Sequence, residues 1–167
     1  QEWKGVELHE ATAYEYSKSF MKHSKKYDIN PLVLTAAIRF ESRFVNNDGD
    51  LDNYRIIDGQ RIHDPSEGLS RIGRQTQKAI RTLMIREGEE GITKNTVDLK
   101  EFPDLSIRMM AWYLNYLRDK NDDSMEKALG HYNGGRNYMN QSYVSGVKEQ
   151  FDNLTSYINQ YEPEDKA

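Results

Sequence analysis

One carboxylate in this sequence stands where a helix gives negative charge least support. Residues 36–44, AAIRFESRF, form an apolar run that closes on Glu41. A helix dipole disfavours an anion at its C-terminal end, and Phe40 and Phe44 are placed to strip water from it. Both effects favour the protonated form and predict a raised pKa, in the range useful to a general acid. The plainer reading is an exposed Glu41 paired with Arg39 or Arg43, a contact of little energetic weight. Position alone leaves both open. Two further stretches could line a site. In SEGLSRIGRQT, residues 66–76, Gly68 permits a tight backbone, Leu69 and Ile72 suit the core, and Ser70 and Arg71 suit an outward face. By itself that stretch reads first as a loop leading into a helix at Arg74. In ALGHYNGG, residues 128–135, Tyr132 and Asn133 either project into a cleft that Gly134 and Gly135 open to a bulky substrate, or Asn133 serves only the turn that ends a helix.

Other chemistries lack their residues. His9, His23, His63 and His131 are dispersed and none forms an HExxH-type pair, so no metal site and no cofactor are expected. No serine sits in GxSxG and no GxxxxGK cradle is present. Cysteine is absent, which excludes disulfides, Cys-ligated zinc and thiol catalysis.

Helices must hold these residues in place. From about residue 10 to 26, Ala11, Tyr14, Ser17, Phe20 and Met21 recur at helical spacing. YDIN breaks that pattern, and Asn30-Pro31 supplies a cap and a first helical residue. Residues 32–40 are so uniformly apolar or small that their helix must lie at the centre. The following stretch has no helical period, but YRIIDGQRI predicts a hairpin turning at Asp58-Gly59. Such a ribbon is marginal alone and must lie against the helices. A helix is predicted over 74–86, ended by EGEEG. Another covers LSIRMMAWYLNYLRD, with Ile107, Ala111, Leu114 and Leu117 on its core face. Asp123 and Glu126 read as a capping box for SMEKALGHY, and NGG stops that helix. The last helix, about 143–161, places Val144, Val147, Phe151, Leu154, Tyr157 and Ile158 on one side. The expected fold class is mainly α, with five or six helices, one small β-ribbon, no internal repeat and no βαβ unit.

At 167 residues the chain reads as one domain, 1–167, able to bury roughly two-thirds of its unfolded surface. Its 23 basic and 27 acidic residues are interspersed, for a net charge of −4, which gives no footprint for nucleic acid. No apolar stretch reaches the length of a transmembrane helix. The first residue is Gln1, which follows either a removed export signal or a shortening of the chain.

Taken in order, the motifs resemble those of the lytic transglycosylases, whose catalytic (SLT) domain has the goose-type lysozyme-like fold. Glu41-Ser42, with Phe44 after it, ends a core helix as the family's Glu-Ser does. Gly68-Leu69-Ser70-Arg71-Ile72 with Thr76 keeps the frame of its Gly-Leu-Met-Gln-Ile and following threonine. Tyr132-Asn133-Gly134-Gly135 matches its Tyr-Asn-x-Gly element, and Tyr143-Val144 with Val147 matches the motif opening the final helix. The likeness runs from about 27 to 161 and leaves the helix at about 8–26 as an N-terminal addition. Departures fall where the family lines its saccharide groove: Pro65-Ser66 for Gly-Ala, Ser70 for Met, Arg71 for Gln and Arg74 for Pro.

The resemblance implies a lysozyme-like domain with the hairpin flanking a groove for peptidoglycan glycan strands. The implied reaction cleaves the β-1,4 bond between N-acetylmuramic acid and N-acetylglucosamine and leaves a 1,6-anhydromuramyl end. Glu41 would be acid and then base, with Ser42, Tyr132 and Asn133 in support. Ser70, Arg71 and Ile72 would form the groove wall, and Gly134 and Tyr143 would also face substrate. Arg71 would meet a lactyl or peptide carboxylate, or else pair with Asp64 or Glu67. A periplasmic, envelope-associated or secreted setting follows, in an envelope, a secretion apparatus or a phage particle. Three alternatives remain beside this reading, one of them a helical protein-interaction domain whose motif matches arise by chance. A hydrolysing muramidase would need a second carboxylate to activate water, from Asp48, Asp50, Asp52, Asp58 or Asp64, of which Asp58 is expected to serve the turn. A wall-binding or assembly protein could keep the fold without catalysis.

Overall fold

Asn30 starts the central helix: its Oδ1 accepts from the Leu32 amide at 2.8 Å, and Pro31 takes the first helical position. The computed structural model describes residues 8–161, so Gln1 and the full 1–167 extent lie outside the described residues. Helix α1 (Glu10–Lys26) precedes α2 (Pro31–Ser42), whose Leu34, Ala36, Ala37 and Ile38 are fully buried. Then come the hairpin strands β1 (Tyr54–Ile57) and β2 (Gln60–His63), and a second short pair, β3 (Ser66–Glu67) and β4 (Ile72–Gly73). Four helices complete the chain: α3 (Arg74–Arg86), α4 (Pro103–Lys120), α5 (Met125–Gly134) and α6 (Gln141–Tyr161). The described residues are therefore mainly helical, with six helices and small antiparallel ribbons, as the sequence pattern requires.

The core is built on α4, whose Ile107, Met109, Met110, Ala111 and Leu114 are excluded from solvent. Helix α2 packs chiefly on α6, and α4 packs on α5 and α1. Asp104 at the start of α4 fastens α1, accepting from Ser19 at 2.7 Å and meeting His23 Nε2 at 2.9 Å.

The Asp58-Gly59 turn forms as expected, with positive φ at both central residues (50° and 77°) and Tyr54 opposite His63. Four details of the sequence pattern are corrected. Phe40 is not buried: it is 41% exposed, because its ring lies over Gly146 of α6 with its outer side uncovered. The stretch 66–73 is not a plain loop but the β3–β4 pair, too short for alternation to show. Ser124, not Asp123, caps α5; its Oγ accepts from Lys127 N at 3.2 Å, while Asp123 is left-handed at φ 56°. Helix α6 starts at Gln141, and Asn140 Oδ1 accepts from Tyr143 N at 3.1 Å.

Gly68 opens the β3–β4 turn at φ +70°, and a Cβ there would lie 2.9 Å from Leu99 Cβ and 3.0 Å from Ser106 Oγ. Gly68→Ala therefore meets both a backbone penalty and a packed wall. Its expected cost is about 2 kcal/mol or more, read as a lowered urea midpoint with helical circular dichroism retained.

Candidate active site

Helix α2 stops abruptly. Arg43 and Phe44 both take left-handed conformations (φ 52° and 62°), and the Arg43 amide returns to Arg39 O at 2.9 Å. Glu41 is thereby held one residue from the helix end, partly buried, at a cleft of about 650 Å³. The helices contribute Glu41, Tyr113, Tyr132 and Asn133 to its lining. Asp48, Asp50, Arg55, Asp64, Arg71 and Ile72 come from the loop and the two ribbons.

Burial pushes the Glu41 carboxyl up from its ordinary value to about 7. A hydrogen bond from Tyr143 and the positive charge of Arg71 work in the opposite direction and are outweighed. Tyr143 belongs to α6 and is buried, its ring edge-on to Phe40 at 5.3 Å. Its hydroxyl forms no hydrogen bond of full geometry, so the interaction with Glu41 is a loose one. Burial, and then the Glu41 charge, raise the Tyr143 phenol well above its usual pKa.

Tyr132 stands beside Tyr143, their rings stacked at 6.2 Å, but its hydroxyl donates to Ser70 O at 2.8 Å. It therefore faces the same cleft without hydrogen-bonding to Glu41 directly. The nearer tyrosine comes from the final helix, where the Tyr143-Val144 motif was the sequence signal. Ser42 is buried and its hydroxyl donates to Ile38 O at 3.0 Å, back along α2 rather than to the carboxylate. Asn133 lies at the cleft, its Oδ1 accepting from Asn140 Nδ2 at 2.6 Å. Gly134, the last residue of α5, lies off the cleft lining; a Cβ there would be 2.9 Å from Tyr138 and 3.0 Å from Asn140 N, so its bareness lets the following loop pack close.

The groove wall differs from expectation at Ser70. That side chain is fully buried against Ser106, Oγ to Oγ at 2.7 Å, because Leu69 and Ile72 draw the turn into the core. Ile72 and Arg71 do line the cleft. Arg71 pairs with neither Asp64 nor Glu67: Asp64 meets Arg55 at 2.8 Å, and Glu67 meets Arg74 at 2.6 Å. Its donors instead reach Asn47 O (2.5 Å), Asn47 Oδ1 (2.6 Å), Glu41 O (3.4 Å) and Val45 O (3.5 Å).

The aspartates divide as well. Asp58 occupies the hairpin turn, and neither it nor Asp52 lines the cleft. Asp48 is engaged by Lys100 at 2.6 Å, and Asp50 Oδ1 accepts from Asp52 N at 2.9 Å. Asp64 is wholly buried and also accepts from Gln75 N at 2.8 Å. Among the described residues no group of three histidines or acidic residues could hold a metal ion, and no helix is long and apolar enough to cross a membrane.

A helical domain with a carboxyl at its cleft and a small ribbon beside it has lysozyme-like architecture. Residues 18–154 match the model of the family described as the transglycosylase SLT domain, and the chain belongs to that family, the peptidoglycan lytic transglycosylases. The match begins within α1. No curated protein matches the chain. Proteins of that family act on peptidoglycan, a substrate that lies outside the cytoplasm.

The raised carboxyl has a consequence for stability. Between about pH 4.5 and 7 the folded chain holds a Glu41 proton that the unfolded chain has released. Its contribution to stability is therefore complete below that interval and is lost as pH rises through it. Glu41→Gln removes this term. The variant should exceed wild type at pH 8 by on the order of 2–3 kcal/mol, and the difference should shrink towards zero near pH 4. Urea unfolding of both proteins at the two pH values measures it.

Proposed function

We propose that this protein is a lytic transglycosylase that uses Glu41 alone for both proton transfers at the N-acetylmuramyl–N-acetylglucosamine bond. The observation that carries this reading is a single carboxyl raised to about 7 in a polar cleft whose three lining aspartates are each engaged elsewhere. Near neutrality such a group is present in both forms, so it can give a proton and take one back.

Protonated Glu41 donates to the glycosidic oxygen, and the bond from muramyl C1 to that oxygen breaks, releasing the N-acetylglucosamine hydroxyl. The carbonyl oxygen of the muramyl acetamido group covers C1. The Glu41 carboxylate then accepts the proton of the C6 hydroxyl as O6 attacks C1 and displaces the acetamido oxygen. A 1,6-anhydro ring forms, no water is consumed, and Glu41 is again protonated. Tyr143 steadies the carboxylate between the two steps. Tyr132 fixes the wall by holding the Ser70 carbonyl, while Ser42 secures the last turn of α2. Asn133 and Ile72 face the sugars.

The chain is read as one SLT domain with α1 as its N-terminal element. The setting is periplasmic, envelope-associated or secreted, including a secretion apparatus or phage particle, wherever glycan strands are within reach.

Digestion of purified peptidoglycan followed by mass analysis tests the mechanism. Wild type should release muramyl ends lacking one water relative to the reducing sugar. Glu41→Gln should lose several orders of magnitude in rate, since each proton transfer contributes roughly 10²–10⁴-fold, while glycan binding persists. Reducing ends from wild type would make the protein a hydrolase and turn attention to Asp48 and Asp50. Undiminished cleavage by the variant would remove the single-glutamate mechanism.

A further inference from the structure

Arg71 is built into the site in an unusual way. It sits in the β3–β4 turn at φ +51°, and its side chain crosses so close to Gly49 that a Cβ there would meet Arg71 Cδ at 2.7 Å. Beyond that narrow passage the guanidinium lies under the chain leaving α2. Nε donates to Glu41 O, Nη2 to Val45 O and to Asn47 Oδ1, and Nη1 to Asn47 O. A guanidinium has five donors, and four contacts to this one segment leave no paired face for a substrate carboxylate.

The last carbonyls of a helix have no intrahelical donor, and Glu41 O is one of them. After it the chain runs through two left-handed residues, neither of them glycine. That local geometry is unfavourable and needs support from elsewhere. Arg71 supplies it from a separate element, so the end of α2 is referred to the β3–β4 turn.

We propose that Arg71 is a positioning residue for Glu41: its fork gathers the carbonyls of residues 41, 45 and 47 and so sets both the place of the carboxyl and the charge beside it. This rests on the reading of Glu41 as the proton donor and acceptor. Three side chains from three elements bear on that carboxyl: Arg71 from the β3–β4 turn, Tyr132 from α5 and Tyr143 from α6. Asp48, Asp50, Asp64, Arg55 and Tyr113 line the same cleft. The Arg71 charge favours the carboxylate form, the form that must collect the C6 hydroxyl proton. An arginine turned towards the backbone thus serves the second half of the reaction without touching the sugar.

The test titrates Glu41 in the whole chain by carbon NMR with labelled glutamate, for wild type, Arg71→Met and Arg71→Lys, alongside cleavage of peptidoglycan across pH. Arg71→Met should move the Glu41 titration up by roughly one pH unit, carry the pH optimum with it, and lower kcat about tenfold or more with little change in KM. Arg71→Lys keeps the charge, so its titration should stay near wild type, yet kcat should still fall because an ammonium cannot replace the planar fork. An unmoved titration in Arg71→Met overturns the proposal, and so does full activity in Arg71→Lys. A raised KM with unchanged kcat would make Arg71 a substrate contact and overturn it equally. Should Arg71→Met not fold, Arg71→Gln takes its place in the same titration. A wild type that cleaves nothing defeats the functional reading, whereas the titrations still decide whether Arg71 sets the state of Glu41.

Discussion

Desolvation of one carboxyl is the constraint around which this fold is arranged. Glu41 sits near the end of a helix whose other face is core, its carboxyl is desolvated by burial, and the groups that bear on it are Tyr132, Tyr143 and Arg71 of the β3–β4 turn. None of those neighbours is there by local preference alone. Tyr143 is delivered by α6, which packs along α2, and Tyr132 by the last turn of α5. The turn is pulled inward by Leu69 and Ile72 and pinned by the Ser70–Ser106 contact. Apolar packing of ordinary strength thus maintains an electrostatic state that no isolated peptide would hold.

The polar groups nearby are organised so that most are neutralised before substrate arrives. Asp64 answers Arg55, Glu67 answers Arg74, and Asp48 answers Lys100. Each pairing takes a nearby carboxylate and sets it against a cation, which limits how much like charge surrounds Glu41. The cleft is polar without being strongly of one sign. That suits a saccharide, whose hydroxyls and amides need hydrogen-bond partners more than they need a field.

Much of this was legible in the sequence, for reasons that can be named. Asn30-Pro31 is a local signal, and the helix began there; Asp58-Gly59 is another, and the hairpin turned there. Helix α3 also lies where the pattern put it. For the cap of α5, Asp123 and Ser124 are both competent, and only the backbone conformation decides between them. The polarity of Ser70 suits a surface, yet a partner thirty-six residues away lets it be buried. Which tyrosine would face Glu41 depended on how α5 and α6 are rotated about their axes, a quantity that periodicity within either helix does not contain. The direction of the Arg71 side chain was hidden for the same reason: its acceptors are backbone carbonyls, which every residue has.

The hairpin carries a different implication, one of timing under heat. Almost all its side chains are exposed, and β1 and β2 form a sheet of only two strands. What binds it to the rest includes the Arg55–Asp64 ion pair and the contact of His63 with Leu51 O. The helices share a continuous apolar interior and open together, whereas a ribbon of this kind frays by itself at much lower free energy. One bank of the cleft therefore belongs to a different cooperative unit from its floor. On warming, amide exchange in the ribbon should outrun that of the helices, so that the trench loses its definition while α2 still holds Glu41 in place.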